Sequence, residues 1–307
     1  MQHGKRRFIV GFLAPPLLVY AVFVVSPFVQ AFQISLTDWS GLVGTAEFVG
    51  PDNFVRLLDD EDFWNALRHN VYMLALVPLV TLALGLFFAF MLNVGGGRRR
   101  NAVITGVAGS RFYTFVFFLP QVVSVTIIAV IWHNVYNPDP HDGMLNALLG
   151  AVGLEGLQNA WLGERRLALW CVGAVMVWGH VGFYVVLFSA AMASVPREVY
   201  EAALLDGANR FHTFFRITLP LLWDTVQTGW VYMGIIALDG FALVQIMSGN
   251  GGGPSGAADV MPLRLYETAF TNSRFGYAAA MGVAMLVVTM TFAVLALRLG
   301  RRERIEY

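Results

Sequence analysis

Charge is what this chain has least of. Only 13% of its 307 residues are charged, about half the share usual in a soluble domain. A water-facing globule would lack the surface it needs, and a 57% hydrophobic content excludes a disordered chain. Lysine is reduced to one residue, Lys5. No G-x-x-x-x-G-K-[ST] loop occurs, so ATP binding of the P-loop kind is excluded. Cysteine is also single: Cys171 lies inside an apolar run, which excludes an intrachain disulfide and a cysteine-built zinc site. The 20 basic residues balance 20 acidic ones, leaving no net field to draw in nucleic acid. No cofactor or metal is expected. What the chain has in abundance is long apolar runs.

A hydrocarbon core about 30 Å thick takes roughly 20 apolar residues at the helical rise. Six stretches meet that length: residues 8–32, 71–94, 112–132, 167–192, 221–247 and 277–299. The fold class expected is therefore all-α, a polytopic membrane protein with six transmembrane helices, and residues 1–307 read as a single transmembrane domain. The first stretch follows Lys5, Arg6 and Arg7 as a secretory signal does. Its apolar part is far longer than the ~7–15 residues of a signal core, so it is kept as a span, with a bend expected near Pro15 and Pro16. The fifth is the least apolar, carrying Asp224, Gln227, Tyr232, Asp239 and Gln245.

Positive residues set the orientation. With the N-terminus cytoplasmic, the inner segments hold 14 of the 20 basic residues, including Arg98, Arg99 and Arg100, Arg197, Arg210, Arg216 and the tail at Arg301, Arg302 and Arg304. The outer loops keep the other six and collect 13 of the 20 acids, with a run at Asp59, Asp60, Glu61 and Asp62. This alternation places both termini in the cytoplasm of a multi-pass cell-membrane protein. The acidic run reads as a solvated loop.

Between the fourth and fifth spans, residues 194–220 form an inner loop with strong local signals. Pro196 followed by Glu198 suits a helix start, and Asp206-Gly207 suits its end, where glycine takes a left-handed cap. A second short helix is expected to carry Phe211, Phe214 and Phe215 on one side before Pro220 opens the next span. The result is a compact helix–turn–helix projecting from the membrane.

Glu201-Ala202-Ala203, three residues, Gly207, nine residues, then Ile217-x-Leu219-Pro220 resembles the EAA loop of ABC importer permeases. The likeness extends along the chain. Phe12-Leu13-Ala14-Pro15, Ser26-Pro27, the stretch from Ser35 to Trp39, Phe48-Val49-Gly50, Asn53-Phe54, Asp62-Phe63-Trp64, the run from Gly251 to Pro254, the stretch from Tyr266 to Phe270 and Phe275-Gly276-Tyr277 resemble the carbohydrate-type, MalF-like and UgpA-like permeases. The stretch from Phe88 to Arg98, the stretch from Leu222 to Gln227 and the tail from Arg298 to Tyr307 are similar to actinobacterial permeases for N-acetylglucosamine and its β-linked disaccharide. The resemblance implies that the loop couples to an ATPase through Glu201, Ala202, Ala203, Gly207, Ile217, Leu219 and Pro220. It also implies a second homologous permease subunit, two cytoplasmic ATPase subunits that carry hydrolysis, and an extracytoplasmic solute-binding protein. Unlike the maltose member, this chain has no domain inserted in its outer loops.

Sugars are held by planar polar groups and by aromatic faces. The fifth span offers Gln227, Trp230, Tyr232 and Asp239; the fourth offers Trp178, His180 and Tyr184. An ionisable group within a span is costly and faces a cavity or the bundle interior, so Asp239 is the leading pathway residue. Its competing role is a structural tie to another helix, and the tryptophans compete as packing or interface anchors. Two other classes fit less well. A membrane-embedded transferase needs an acid, base or metal cluster near one interface, for which Asp59–Asp62 is the one candidate. An ion-coupled secondary transporter needs buried charges and repeats, and Asp239 stands alone.

The orientation has a direct check. Cysteines at positions 52 and 140 should react with an impermeant thiol reagent in intact cells, and cysteines at positions 96 and 209 should not. Labelling of position 209 from outside would reverse the topology.

Overall fold

The computed structural model describes residues 2–41, 46–94, 106–249 and 251–299. The glycines and arginines of 95–100 and the tail beyond 299, used above for orientation and likeness, lie outside the described residues. The described chain is helical: α1 (Gln2–Tyr20), α2 (Ser26–Ser35), α3 (Asp52–Asp59), α4 (Glu61–Asn93), α5 (Ser110–Val122), α6 (Val125–Val135), α7 (Met144–Ala151), α8 (Ala168–Ala193), α9 (Arg197–Leu205), α10 (Arg210–His212), α11 (Leu219–Leu221), α12 (Trp223–Leu238), α13 (Phe241–Ser248), α14 (Met261–Tyr266) and α15 (Phe275–Leu299). Four stretches are long and apolar enough to cross a bilayer unaided: Phe8–Ser35, Glu61–Asn93, Ala168–Ala193 and Phe275–Arg298. The pairs α5–α6 and α12–α13 bring the number to six if each is one span.

These pairs differ from the continuous third and fifth helices expected. α5 and α6 meet at 97°, α12 and α13 at 45°. With 13 and 11 residues, α5 and α6 are about 20 and 16 Å long, and neither alone crosses a ~30 Å core. The first break follows Pro120, which donates no backbone bond, and runs through Val123 and Ser124 in extended conformation (ψ 139° and 137°). The second falls at Asp239-Gly240, a breaker pair. The first span differs too. α1 continues through Pro15 and Pro16, and the helix widens instead at Ala21–Val25, where the Ser26 N–H donates to Ala21 O. Pro27 explains the position: its ring crowds the carbonyl four residues back, and a wider turn relieves this.

The chain forms two compact units. One comprises Met1–Phe63 and Arg264–Val288. In it, scattered residues of the permease likeness meet one another. Asn53, 2% exposed, donates from Nδ2 to Ser35 O (2.9 Å) and Thr37 O (2.8 Å). The Trp39 ring lies tilted against Phe275 at 5.5 Å, and the Trp39 carbonyl accepts from Gly276 N. The acidic run is partly structural rather than merely solvated. Asp60 Oδ1 caps the start of α4 at Phe63 N (3.0 Å), and its Oδ2 accepts from the Tyr277 hydroxyl (2.6 Å). Asp62 pairs with Arg264 at 3.3 Å.

The other unit comprises Trp64–Leu263 and Thr289–Tyr307. α8 is its axis and is apolar all round, with more than half its residues buried, as expected of a helix enclosed by others. α5 lies along α8, α6 along α13, and both α12 and α13 touch α8. Small residues allow these approaches: a Cβ on Gly182 would collide with Phe117 O of α5, the close backbone contact that glycine permits between membrane helices. Met73, Val172, Val175, Met233, Val244 and Met247 fill the core between them.

Candidate functional site

The first candidate element is the turn between α9 and α10. Pro196 (φ −54°, ψ 136°) stands immediately before α9, as the sequence suggests. At the far end Gly207 takes φ +77°. Its N–H donates to Leu204 O (3.0 Å), and the Ala208 N–H reaches back to Ala203 O (2.9 Å). That bond pair is a Schellman cap, which needs the left-handed residue in its middle. Nothing lies within 4 Å of a Cβ built on Gly207, so the position demands glycine for conformation rather than for space. Asn209 then caps the next helix through Oδ1, accepting from His212 N at 2.9 Å.

Tyr200 and Ala203 face inward and are buried, while Glu201 and Ala202 are exposed. Beyond the turn, Phe214 meets Phe90 of α4 edge to face at 5.0 Å; Phe211 and Phe215 meet at a tilt, 4.5 Å apart, and remain exposed. The single second helix expected is irregular: α10 is one turn, followed by a wide turn at Thr213–Thr218. Thr218 fits this by donating its hydroxyl to Thr213 O (3.1 Å). Ile217, Leu219 and Pro220 are half-buried. An apolar groove of about 730 Å³ opens between α4, Phe211, Phe214 and Phe215, and Trp223, Val226 and Trp230 of α12.

The second candidate element is where the helices break. A cavity of about 210 Å³ is lined by Pro120, Gln121, Val123 and Val125 from the first break, with Met176, Gly179 and His180 of α8 and Leu243 of α13. The second break adjoins it, since a Cβ on Gly240 would rest against Met176 at 3.5 Å. Broken helices at membrane depth are tolerated where they line a cavity or are buried in protein, and transporters place binding sites there.

The seven polar and aromatic residues picked from sequence do not converge on it. His180 lines the cavity, with Nδ1 at 2.8 Å from Met176 O. Asp239 is exposed at the second break rather than embedded within a helix. Tyr184 is fully buried and donates to Gly229 O at 3.2 Å. Gln227 donates to Ala296 O at 3.4 Å, and Trp230 belongs to the apolar groove. Tyr232 sits by Phe183 at 5.9 Å and Trp178 by Trp132 at 5.4 Å.

Sequence reasoning missed Gln121, whose place beside Pro120 was the available signal, and Asn70, which carried none. Asn70 is 1% exposed. Its Nδ2 donates to Leu238 O (3.1 Å), the carbonyl that α12 leaves open at its break, and its Oδ1 accepts from Met261 N (2.7 Å) at the start of α14. Nearby on α4, Asn65 Nδ2 donates to Gly256 O (3.2 Å) and His69 Nδ1 lies 2.8 Å from Asp259 O. One face of α4 thus holds both the loop 251–261 and the end of α12.

The family model for the "Binding-protein-dependent transport system inner membrane component" matches residues 65–305. The chain belongs to that family, and it is a multi-pass permease component of ABC transport. Among relatives, it is 44% identical over 302 residues to the diacetylchitobiose uptake system permease protein NgcF of Streptomyces coelicolor, covering 98% of this chain and 84% of that one. It is 34% identical to the probable ABC transporter permease protein YurN of Bacillus subtilis, over 95% of each. Among solved structures, it is similar to a chain of a bacterial alginate ABC transporter in complex with an alginate pentasaccharide-bound periplasmic protein. There the TM-score is 0.79 at 23% identity, with 99% of this chain and 97% of that one covered. At that identity the likeness concerns the fold.

Two outcomes follow from this geometry. Asn70→Ala leaves Leu238 O and Met261 N without their partner, which for buried groups costs about 1–3 kcal/mol each. It should lower the thermal stability of the purified permease complex and loosen the second break, seen as faster hydrogen exchange at 238–244. Asp239→Asn should assemble normally and transport less. Full transport by that variant at normal expression would assign the carboxylate no part in the path.

Proposed function

We propose that this chain is one of two permease subunits in an ATP-driven, binding-protein-dependent sugar importer, taking N-acetylglucosamine or its β-linked disaccharide. Residues 1–307 act as a single permease domain with both termini cytoplasmic. A second homologous permease, two cytoplasmic ATPase subunits where hydrolysis occurs, and an extracytoplasmic solute-binding protein complete the machine. The observation that carries the reading is the capped turn, which presents Glu201 and Ala202 outward on a short helix fixed from within by Ala203 and Gly207. The 44% identical relative, a diacetylchitobiose uptake permease, supports the choice of sugar. Coupling falls to Glu201, Ala202, Ala203, Gly207, Ile217, Leu219 and Pro220. The translocation path is assigned to the cavity at the two breaks, with His180 in its wall and Asp239 beside it. Gln227, Trp230, Tyr232, Trp178 and Tyr184 support the helices that form it.

Gly207→Val puts a β-branched residue at positive φ, a cost of about 1–2 kcal/mol, and should distort the turn without touching a span. ATPase stimulation by sugar-loaded binding protein and transport should fall together, while the complex still assembles. Glu201→Lys should do the same by reversing a contact charge. Wild-type behaviour in both variants would remove the turn from coupling. Uptake of labelled diacetylchitobiose, N-acetylglucosamine, maltose and glycerol phosphate by a deletion strain carrying the gene tests the sugar; uptake of only the last two would overturn the choice.

A further inference from the structure

α7 lies between α6 and α8, and one of its faces has no cover. Met144, Leu148 and Val152 are 65%, 60% and 60% exposed. With Ala147 and Ala151, also exposed, they form a stripe at i, i+3, i+4, i+7 and i+8. Leu154 and Leu157 extend it, 48% and 55% exposed. No charged residue occurs from Gly143 to Leu154. Asp139, Asp142 and Glu155 sit just beyond the two ends and are exposed.

The opposite face is held firmly. Leu145 packs on the core. Asn146, 1% exposed, donates to Pro138 O and Asn159 O (both 2.9 Å) and accepts from the Trp161 indole at 2.8 Å. Gly153, at φ +76°, closes the helix with Leu154 N donating to Leu149 O at 2.8 Å. The stripe is therefore a fixed surface and not a fraying segment.

The clamp also ties α7 to a row of aromatic residues. Trp161 neighbours Tyr136 at 6.4 Å, and Tyr136 neighbours Trp132 at 5.4 Å, at the end of α6. Tryptophan and tyrosine gather where hydrocarbon meets water, because their rings are apolar and their tips polar. We propose that α7 is an interfacial helix whose Met144, Leu148 and Val152 face beds into the leaflet on its own side of the membrane. That this is the outer leaflet rests on the orientation proposed above. A lipid surface fits better than a docked protein. The stripe is aliphatic and has none of the tryptophan, tyrosine or arginine that anchors protein interfaces. Acids stand at both ends and the stripe itself carries no charge, so the attraction is apolar and zwitterionic lipid suffices.

The test uses the full permease complex in phosphatidylcholine nanodiscs, with Cys171→Ser and one cysteine at a time: Leu148→Cys, Val152→Cys or Glu155→Cys, each carrying an environment-sensitive fluorophore. Positions 148 and 152 should show blue-shifted emission, quenching by shallow nitroxide lipid and little quenching by iodide. Position 155 should show the reverse. Iodide quenching at 148 and 152 as strong as at 155, with no effect of nitroxide lipid, would overturn the proposal. So would iodide quenching that disappears only when solute-binding protein is added, which would make the stripe a protein-docking face. Depth is read alike from either side, and an impermeant reagent on Glu155→Cys in intact cells reports the orientation separately.

Discussion

A bilayer interior offers a backbone no water, so every carbonyl and N–H that leaves a helix must find a partner within the protein. This requirement organises the larger unit. The helix breaks and helix ends free several such groups, and side chains from other helices take them up. Asn70 takes Leu238 O at the end of α12. His133 Nδ1, on α6, lies 2.9 Å from Met247 O near the end of α13. His69 reaches the loop carbonyl of Asp259 through Nδ1, and His180 reaches Met176 O one turn back on its own helix. A carbonyl only accepts, so in each case the proton sits on Nδ1. These carbonyls are met by amide and imidazole donors rather than by lysine or arginine.

The turn between α9 and α10 obeys a different economy. It is exposed, and its order comes from bonds within a few residues: the Gly207 cap, the Asn209 cap and the inward Ala203. Short-range order of this kind is written in short-range sequence. Proline before the helix, glycine after it and asparagine opening the next turn are each local signals with a local cause, and the structure places the ends of α9 where those signals put them. The spans were legible for a similar reason, because hydropathy averages over about 20 residues and so does the bilayer.

The same averaging concealed the breaks. A window that sums 112–132 does not register two extended residues at Val123 and Ser124, and the Asp239 carboxylate was read as a charge inside a helix when it stands at a helix end. The partners that stabilise the second break were beyond reach of any local pattern: Asn70 bonds residues 168 and 191 positions away. Nor does polarity within a span identify its task. Gln227 and Tyr184 looked like sugar ligands, yet both donate to backbone carbonyls of neighbouring helices. In hydrocarbon the demand for donors from the backbone competes with the demand from a substrate, and sequence alone does not separate the two.

α4 connects these regions. Near its start Asn65, His69 and Asn70 hold the loop 251–261 and the end of α12; near its end Phe90 receives Phe214 from beyond the α9–α10 turn. The 20 residue steps from Asn70 to Phe90 span about 30 Å at the helical rise, the thickness of the hydrocarbon core. A continuous helix is stiff along its axis, and Pro78 withdraws one donor from its internal ladder. α4 therefore joins, as one continuous element, the aromatic contact beyond the α9–α10 turn and the side chain that closes the second break. Pro78 is the place along it where a bend is easiest.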